Sequence, residues 1–398
     1  MIKTPVKPTL TKVLSVAAVL GLVSFSWAQD SYQSKTLVMD MGVDLNHSKL
    51  KGQVNFDMAE LNGQASVDDD NDGFVDDIAG WNGVSNDGTY MPGYILSKFT
   101  ENVKKVQDML DIYTRVEEGD QQALRQLRQN PALLNQISEL LELSHGTHVA
   151  GIISKNSLQS NRLQSFNVFN GSSETPAVNN PNGGSSKAIL ASTFGTLKKF
   201  FTKKLFDNNI AAARKSFFDD RNAINKEIAN LEKGQKDEMT VYSSYLKASK
   251  SRVVNLSLGS AKSGIRQNLE QMWAQELEKA GLPEDTKRNQ VQETNFNYAL
   301  DGVYAALRSG WAVLFGDNPD VLFVVAAGND GEAGTDAGDL NVNPVAPADL
   351  SVDFRNVITI AATDTNGVLT DFSCYSDRSV NIAAWGKAVP SLAPREPP

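Results

Sequence analysis

The sequence of 398 residues contains one cysteine, Cys374, and only three histidines. A single cysteine excludes an internal disulfide and a cysteine-rich zinc site. The 38 basic residues are outnumbered by 47 acidic ones, and the formal charge of −9 argues against a nucleic-acid binder that depends on attraction to phosphate. Beyond residue 28 no apolar run approaches about 18 residues, so no membrane span is expected in the mature chain. The remaining composition, 41% hydrophobic and 21% charged, is that of a globular protein.

Residues 1–28 have the layout of a secretory signal peptide. Three lysines accompany an apolar run that extends from Val13 to Trp27. Ser26 and Ala28 supply the small residues that a cleavage site needs at its −3 and −1 positions. The alternative is an uncleaved N-terminal anchor. Export predicts a secreted protein, or one of the cell envelope or periplasm.

Five short apolar runs predict buried strands. Their hydrophobicity is continuous rather than alternating, which favours a parallel sheet covered on both faces. The runs are Thr36–Met41, Val253–Leu258, Val321–Ala327, Val357–Ala362 and Val380–Ala384. Apolar residues at helical spacing lie between them, within 103–113, 133–141, 210–231 and 265–282. Strands that alternate with helices predict an α/β fold, a doubly wound and mostly parallel sheet.

The helical patterns fall in three long insertions, at about 86–143, 156–250 and 262–315. Their presence accounts for the chain length without a second domain, so residues 29–398 are predicted to form one enlarged domain. The stretch 158–186 is rich in Asn, Ser and Gly and has no period. It is predicted to be a loop.

The sharpest motif is His145-Gly146-Thr147-His148, followed by Val-Ala-Gly. This pattern is typical of the start of a helix, with the first histidine facing a cleft. A neutral imidazole there could accept a proton from a nucleophile. The alternatives are a histidine satisfied in the core or at the surface, and a metal site formed by the pair.

Asp40 lies at the end of the first predicted strand, where the functional groups of open α/β sheets gather. A buried carboxylate needs a partner, and an imidazole N–H is a suitable one. The alternative is an aspartate that caps a helix or forms a turn.

Asn329 follows another predicted strand, in Ala326-Ala327-Gly328-Asn329. Its side-chain NH₂ could donate to a developing oxyanion. The alternative is a plain turn, because Asn and Gly both tolerate positive φ.

Taken together and in this order, the Asp40, His145 and Asn329 segments resemble the subtilisin-like serine proteases (subtilases, family S8). Val254–Gly259 and Val380–Gly386 also match motifs of that family. The resemblance implies a subtilisin-like fold and hydrolysis of peptide bonds in a polypeptide substrate. Asp40 would hold His145, His145 would act as general base and then acid, and Asn329 would stabilise the oxyanion.

The resemblance further implies two walls of a substrate groove. The backbone of one wall would pair with an extended substrate as an added strand, and it consists of Leu256, Ser257, Leu258 and Gly259. The opposite wall of the specificity pocket would consist of Ala326, Ala327 and Gly328.

The sequence departs from the family at the nucleophile. Subtilases carry this serine in a Gly-Thr-Ser motif after the segment that Val380–Gly386 matches, and no Gly-Thr-Ser occurs in the 398 residues. Ser391 is a poor substitute because no Gly-Thr precedes it. Two interpretations remain, a fragment of a longer protease or a truncated pseudoenzyme that binds peptides without cleaving them. In either case the 398-residue chain is expected to be inactive.

The acidic stretch Asp68–Asp77 predicts a structural calcium site. Acidic side chains at alternate positions before Gly73 are typical of the first half of a calcium loop. The candidate ligands are Asp68, Asp70, Asp72 and Asp76. Residue 79 is alanine, so the bidentate glutamate of a full EF-hand loop is missing. The alternative is a solvated acidic turn, and no organic cofactor is predicted.

Overall fold

The computed structural model describes residues 34–100, 103–117, 119–157, 161–169 and 216–394. Residues from Ser34 onward belong to one compact unit. The predicted signal peptide at 1–28 lies outside the described residues. None of the helices in the described ranges combines the length and the apolar character that a membrane span requires.

A seven-stranded parallel sheet forms the centre of the fold, in the order β2-β3-β1-β4-β6-β8-β9. Two further strands, β5 and β7, form a small antiparallel pair. The strands are β1 (Lys35–Asp40), β2 (Gly80–Asn82), β3 (Arg162–Asn167), β4 (Val253–Leu256), β5 (Ser260–Ala261), β6 (Leu322–Ala326), β7 (Val345–Ala346), β8 (Val357–Thr363) and β9 (Ile382–Trp385). The predicted α/β class with a mostly parallel sheet is therefore confirmed.

Eight α-helices occur in the described residues. They are α1 (Met58–Asn62), α2 (Gly93–Thr100), α3 (Val103–Glu117), α4 (Gln121–Gln129), α5 (Pro131–Asn156), α6 (Arg221–Ser249), α7 (Lys262–Ala280) and α8 (Gln290–Asp317). Helices α6, α7 and α8 share the main core with one face of the sheet, whereas α5 packs on the other face through the core that contains Val38 and Val149. The third helical pattern was predicted over 210–231. Residues 210–215 lie outside the described residues, 217–219 form a short 3-10 turn, and α6 begins at Arg221.

The prediction of a loop over 158–186 is wrong at residues 162–167, which form β3, between β1 and β2. Residues 158–160 and 170–186 lie outside the described residues. Strand β3 is buried from residue 163 onward, although four of its six residues are polar. Gln164, Ser165 and Asn167 are at most 2% exposed. Hydrogen bonds satisfy these side chains: Ser165 Oγ donates to the carbonyl of Tyr90, and Gln164 Oε1 accepts from Ser251 Oγ. Hydrophobicity alone cannot reveal such a strand.

The last predicted strand was expected to be buried, but every residue of β9 is exposed. Strand register shows that this exposure extends over one face of the sheet, here called the open face. Its residues in β6, β8 and β9 alternate with those of the main core and are exposed or only half-buried. They are Leu322, Val324, Ala326, Ile358, Ile360, Ala362, Ile382 and Ala384. Among the described residues no helix covers this face as α6, α7 and α8 cover the opposite one.

Helices α2, α3 and α4 pack with residues 131–144 of α5 into a helical lobe. The lobe has its own apolar core, which includes Ile95, Phe99, Val106, Met109, Leu127, Ile137, Leu140 and Leu143, together with Met41 from the segment after β1. Asn130 caps the start of α5, since its side chain accepts from the N–H of Leu133, and Pro131 occupies the first turn. His145 therefore lies in the middle of a 26-residue helix, not at a helix start as predicted.

Candidate active site

Asp40 and His145 meet at the carboxyl edge of the sheet. The His145 Nδ1 atom lies 2.9 and 2.8 Å from the two carboxylate oxygens of Asp40. Asp40 is 1% exposed, whereas the side chain of His145 is 44% exposed. A buried carboxylate that faces one ring nitrogen fixes the orientation of the ring and favours a proton on that nitrogen. The opposite ring nitrogen can then serve as a base.

Local backbone contacts hold the Asp40 carboxylate and the turn that follows it. The N–H of Met41 donates to Asp40 Oδ1 at 2.8 Å, and the N–H of Asp44 donates to Thr147 Oγ1 at 2.9 Å. Thr147 is fully buried and lies two residues beyond His145 on α5. The helix that presents the imidazole therefore also fixes the loop after the aspartate.

Asn329 lies at the same edge of the sheet. It follows β6 by three residues, and β4 separates β6 from β1. Two strand spacings of about 4.8 Å place β1 and β6 about 10 Å apart. Asn329 is exposed. The preceding Gly328 adopts a φ of +115°, and its carbonyl accepts from the N–H of Cys374 at 2.9 Å. This left-handed turn, which glycine adopts most readily, presents the Asn329 amide at the rim.

The first predicted groove wall was expected to be strand through Leu258, but β4 ends at Leu256. Ser257–Gly259 link it to β5. Within the described part of the chain, no hydrogen-bond partner is found for the backbone groups of these three residues. An extended peptide could therefore pair with them as a strand.

Val345 was not predicted to contribute to the site, yet it joins the two walls. A Cβ on Gly259 would lie 2.9 Å from Val345 Cγ1, and a Cβ on Gly328 would lie 3.3 Å from Val345 Cγ2. The Val345 side chain thus lies between the walls at 256–259 and 326–328. Its position in β7, paired with β5 across a long sequence gap, could not be read from a local motif.

Ser391 does not present its hydroxyl as a nucleophile. Its Oγ donates to the carbonyl of His148 at 2.5 Å, and a ring nitrogen of His148 lies 3.0 Å from the carbonyl of Val389. Burial lowers the pKa of His148, the largest effect on this group. Both groups instead serve to dock the segment after β9 onto α5.

A buried glutamate that the sequence did not suggest holds the backbone of the acidic loop. Glu60, 4% exposed, accepts from the N–H groups of Asp69, Asp70 and Asp76 at 2.7, 3.3 and 2.8 Å. Carboxylate oxygens of Glu60, Asp68 and Asp70 lie within 4.8 Å of one another, a spacing that could hold a metal ion. Glu60 precedes the motif by eight residues on α1, so the alternating pattern did not reveal it.

Asp72 and Asp76, the other two predicted ligands, do not belong to this group of three carboxylates. Asp72 Oδ1 accepts from the N–H of Phe74 at 3.0 Å, and Asp76 Oδ2 accepts from the N–H of Ser66 at 2.8 Å. Burial raises the pKa of Asp72, and the carboxylates of Asp70 and Asp68 raise it further.

Asp77 shows that the loop concentrates negative charge. Burial, and then the carboxylates of Asp72, Asp57, Asp70 and Glu60, raise the pKa of Asp77 to about 7. Its Oδ1 atom is buried without a hydrogen-bond partner among the described residues. None of these carboxylates forms a salt bridge within the described ranges, so a bound cation would relieve their repulsion. Hard oxygen ligands of this kind fit calcium, for which Glu60, Asp68 and Asp70 would be the ligands.

Calcium is therefore expected to stabilise the folded chain. At a free concentration 100 times its Kd, it should add about 2.7 kcal/mol to the free energy of unfolding and raise Tm by several degrees. Thermal melts in calcium and in a chelator would measure this. Asp70→Asn should lose most of the gain, whereas Asp285→Asn, an exposed acid outside the loop, should keep it. An identical Tm with and without chelator would contradict the site.

The chain matches the family model described as "Subtilase family" over residues 35–395. The matched range includes β1, the His145 motif and the Asn329 segment.

Individual relatives match a short part of the chain. Subtilisin-like protease 1 of Plasmodium berghei is 49% identical over 55 residues, 14% of this chain and 9% of that protein. The proteins of the same name in Plasmodium falciparum (isolate 3D7) and Plasmodium vivax are 45% and 43% identical over 58 residues, 15% of this chain and 8% and 9% of theirs. The matched parts span less than a tenth of the length of these relatives.

Among solved structures, the chain is similar to the epidermin leader peptide processing serine protease of Staphylococcus aureus. The identity is 15% and the TM-score 0.30, over 89% of this chain and 52% of that one.

Proposed function

This chain belongs to the subtilase family of serine proteases, and we propose that it forms the Asp- and His-bearing part of a serine endopeptidase. The contact that carries this proposal is the one between the buried Asp40 carboxylate and the Nδ1 atom of His145. A carboxylate-oriented imidazole at the exposed edge of a parallel sheet is suited to general base and acid catalysis.

In the proposed mechanism Asp40 keeps a proton on Nδ1 of His145. The Nε2 atom then removes the proton from a serine hydroxyl while the serine oxygen attacks the peptide carbonyl carbon. The amide N–H₂ of Asn329 donates to the oxygen that becomes negatively charged. His145 returns the proton to the leaving amine, and the resulting acyl-enzyme is hydrolysed by water through the same groups.

The proposed substrate is an extended polypeptide that adds a strand to Ser257–Gly259. This proposal is supported by the backbone groups of those residues, for which no partner is found among the described residues. The side chain that precedes the cleaved bond would enter between the two walls, where Val345 lies. Calcium at the acidic loop would act as a structural ion, and export would place the protein outside the cytoplasm.

The nucleophile of the proposed enzyme must come from polypeptide that carries a Gly-Thr-Ser motif. The open face supports this proposal, because parallel sheets are normally covered on both faces. In a parallel sheet a helix that follows a strand starts at the carboxyl edge, so a helix that packed on Val324 and Ile360 in this direction would begin at the edge that carries His145. We propose that the missing serine lies at the start of such a helix, in a longer form of the protein.

The 398-residue chain by itself is expected to hydrolyse no peptide bond. The reason is chemical, since an oriented imidazole without its hydroxyl partner forms no acyl-enzyme. The purified chain should give only background hydrolysis of a mixed peptide library and no labelling by a fluorophosphonate probe. Hydrolysis that disappears in His145→Ala would show that another serine serves as nucleophile and would refute this part of the proposal.

A second candidate function is a pseudoprotease that binds peptides and is stabilised by calcium. The unpartnered backbone at Ser257–Gly259 favours it, because strand pairing needs no nucleophile. Reading the coding sequence beyond codon 398 separates the two. A continuing frame with Gly-Thr-Ser decides for the protease, whereas a stop codon together with saturable peptide binding decides for the pseudoprotease.

A further inference from the structure

We infer that the helical lobe positions the Asp40–His145 pair, with Met41 as the positioning residue that transmits its packing. This inference rests on the proposed function, in which that pair is the acid–base unit. Four contacts carry it: two join the lobe core to residues within two positions of Asp40 or His145, and two hold the turn that follows Asp40.

The first contact is made by Met41. Its backbone N–H holds Asp40 Oδ1 at 2.8 Å, while its side chain, 4% exposed, belongs to the lobe core. The donor to the carboxylate is therefore covalently attached to a side chain that the lobe packs. A shift of that side chain moves the N–H and, with it, the oxygen that faces His145.

The second contact lies on α5. Leu143 is buried in the lobe core and precedes His145 by two residues on the same helix. Helix residues rise by 1.5 Å each, so this anchor lies about 3 Å along the axis from the imidazole-bearing residue. Because α5 is continuous from Pro131 to Asn156, a displacement of its lobe-packed end would displace His145 as well.

The third and fourth contacts fix Gly42. A Cβ on Gly42 would lie 2.9 Å from the carbonyl oxygen of Tyr90 and 3.0 Å from Pro92 Cδ, in the segment that leads into α2. A Cβ on Gly146 would lie 2.3 Å from the carbonyl oxygen of Gly42. The turn after Asp40 is therefore held between α5 on one side and the start of the lobe on the other.

The remaining residues of β1 depend on other packing. Leu37 and Met39 belong to the main core, and Val38 belongs to the core beneath α5. A defect inside the lobe should consequently leave the strand in place and disturb the Asp40–His145 contact selectively. That selectivity distinguishes a positioning role from a general contribution to stability.

The test compares two buried methionines in the full 398-residue chain. Met109 lies in the lobe core on α3, and Met272 lies in the main core on α7, at 6% and 4% exposure. The readout is the Nδ1–H proton signal of His145 in histidine-labelled protein, followed by NMR. Met109→Ala should speed the exchange of this proton with water by about fivefold or more, whereas Met272→Ala should leave it unchanged.

Met41 itself supplies a conservative rescue. Met41→Ala should produce the same faster exchange as Met109→Ala, and Met41→Leu, which refills the space, should restore the wild-type rate. The inference would be overturned if the Nδ1–H proton of His145 exchanged at the same rate in Met109→Ala and Met272→Ala, whether that rate is raised or unchanged. If Met109→Ala does not fold, two milder variants replace the methionine comparison, Ile137→Val in the lobe and Ile224→Val in the main core. Only Ile137→Val should then speed the exchange of the His145 Nδ1–H proton.

Failure of the proposed function would look different. If the wild-type chain shows no protected Nδ1–H signal, or if that signal persists in Asp40→Asn, the pair itself is absent in solution. If the signal is present and disappears in Asp40→Asn, but the lobe variants leave it unchanged, only the positioning role is wrong.

Discussion

His145→Ala is expected to abolish labelling by a fluorophosphonate in a form of the protein that carries the Gly-Thr-Ser segment. Without the imidazole, the serine hydroxyl keeps its proton and reacts slowly with the probe. The steady-state rate of peptide hydrolysis should fall by about 10⁴-fold or more. Gel-based labelling and kcat/KM for one peptide substrate would measure both effects.

Asp40→Asn should give a similar loss for a different reason. An amide can donate to Nδ1, which would favour the tautomer that carries its proton on Nε2 and cannot accept one there. Asn329→Ala should cost less, about 10²–10³-fold in kcat, because it removes one oxyanion donor. His47→Gln is a suitable control, since His47 caps a short 3-10 turn. Unchanged labelling in His145→Ala would reject the catalytic assignment.

The Asp40–His145 pair could be predicted because each residue stands in a distinctive local pattern. Asp40 ends an apolar run, and the carboxyl ends of parallel strands share one edge. The position of His145 within its helix was missed, although a signal was present. Asn130-Pro131 is a favourable helix start, and the apolar period from residue 133 continues towards the histidine. The His-Gly-Thr-His motif with its small apolar residues favoured a separate helix start at His145, whereas the helix begins 14 residues earlier at Pro131.

Other features depend on contacts that are distant in sequence. Glu60 holds the acidic loop through three backbone N–H groups, but a single glutamate on a short helix carries no pattern. Val345 reaches both groove walls only because β7 pairs with β5. The residues of β3 are buried although polar, and the apolar residues of β9 are exposed, so hydrophobicity assigned the wrong burial to both. Whether a residue is buried depends on which other element packs against its own. The periodicity of one segment does not identify that partner.

Glu238→Gln is expected to stabilise the folded chain strongly at mildly alkaline pH. Glu238 lies on α6 at 4% exposure, where one carboxylate oxygen accepts from the hydroxyl of Tyr242 and the other has no partner among the described residues. Burial raises the pKa of Glu238 to about 8, and the Tyr242 hydrogen bond acts in the opposite direction. Tyr242 packs edge to face on Phe166 of β3, so this carboxyl group lies deep beneath the sheet.

The direction of the pH dependence follows from linkage. In the unfolded chain the pKa of Glu238 is near its ordinary value of 4.5, whereas in the folded chain its pKa of about 8 keeps it protonated up to that pH. Between these values the folded state binds more protons, so stability is full below the lower pKa and falls as pH rises. Each pH unit costs about 1.4 kcal/mol, which amounts to several kcal/mol by pH 8.

Glutamine cannot ionise, so the variant should lose this part of the pH dependence. Near pH 4.5 the variant should be the less stable protein by the cost of seating its amide. The two curves should cross as pH rises, and the variant should be more stable by about 1–3 kcal/mol at pH 8. Urea unfolding across this range would measure the difference. Asp77 also lowers the free energy of unfolding as pH rises to about 7. This contribution is the same in both proteins and cancels in their difference. Glu232→Gln changes a half-exposed glutamate on the same helix, and its stability should vary with pH as that of wild type does. If Glu238→Gln also varied in parallel with wild type, the buried carboxyl would not be the source of the pH dependence.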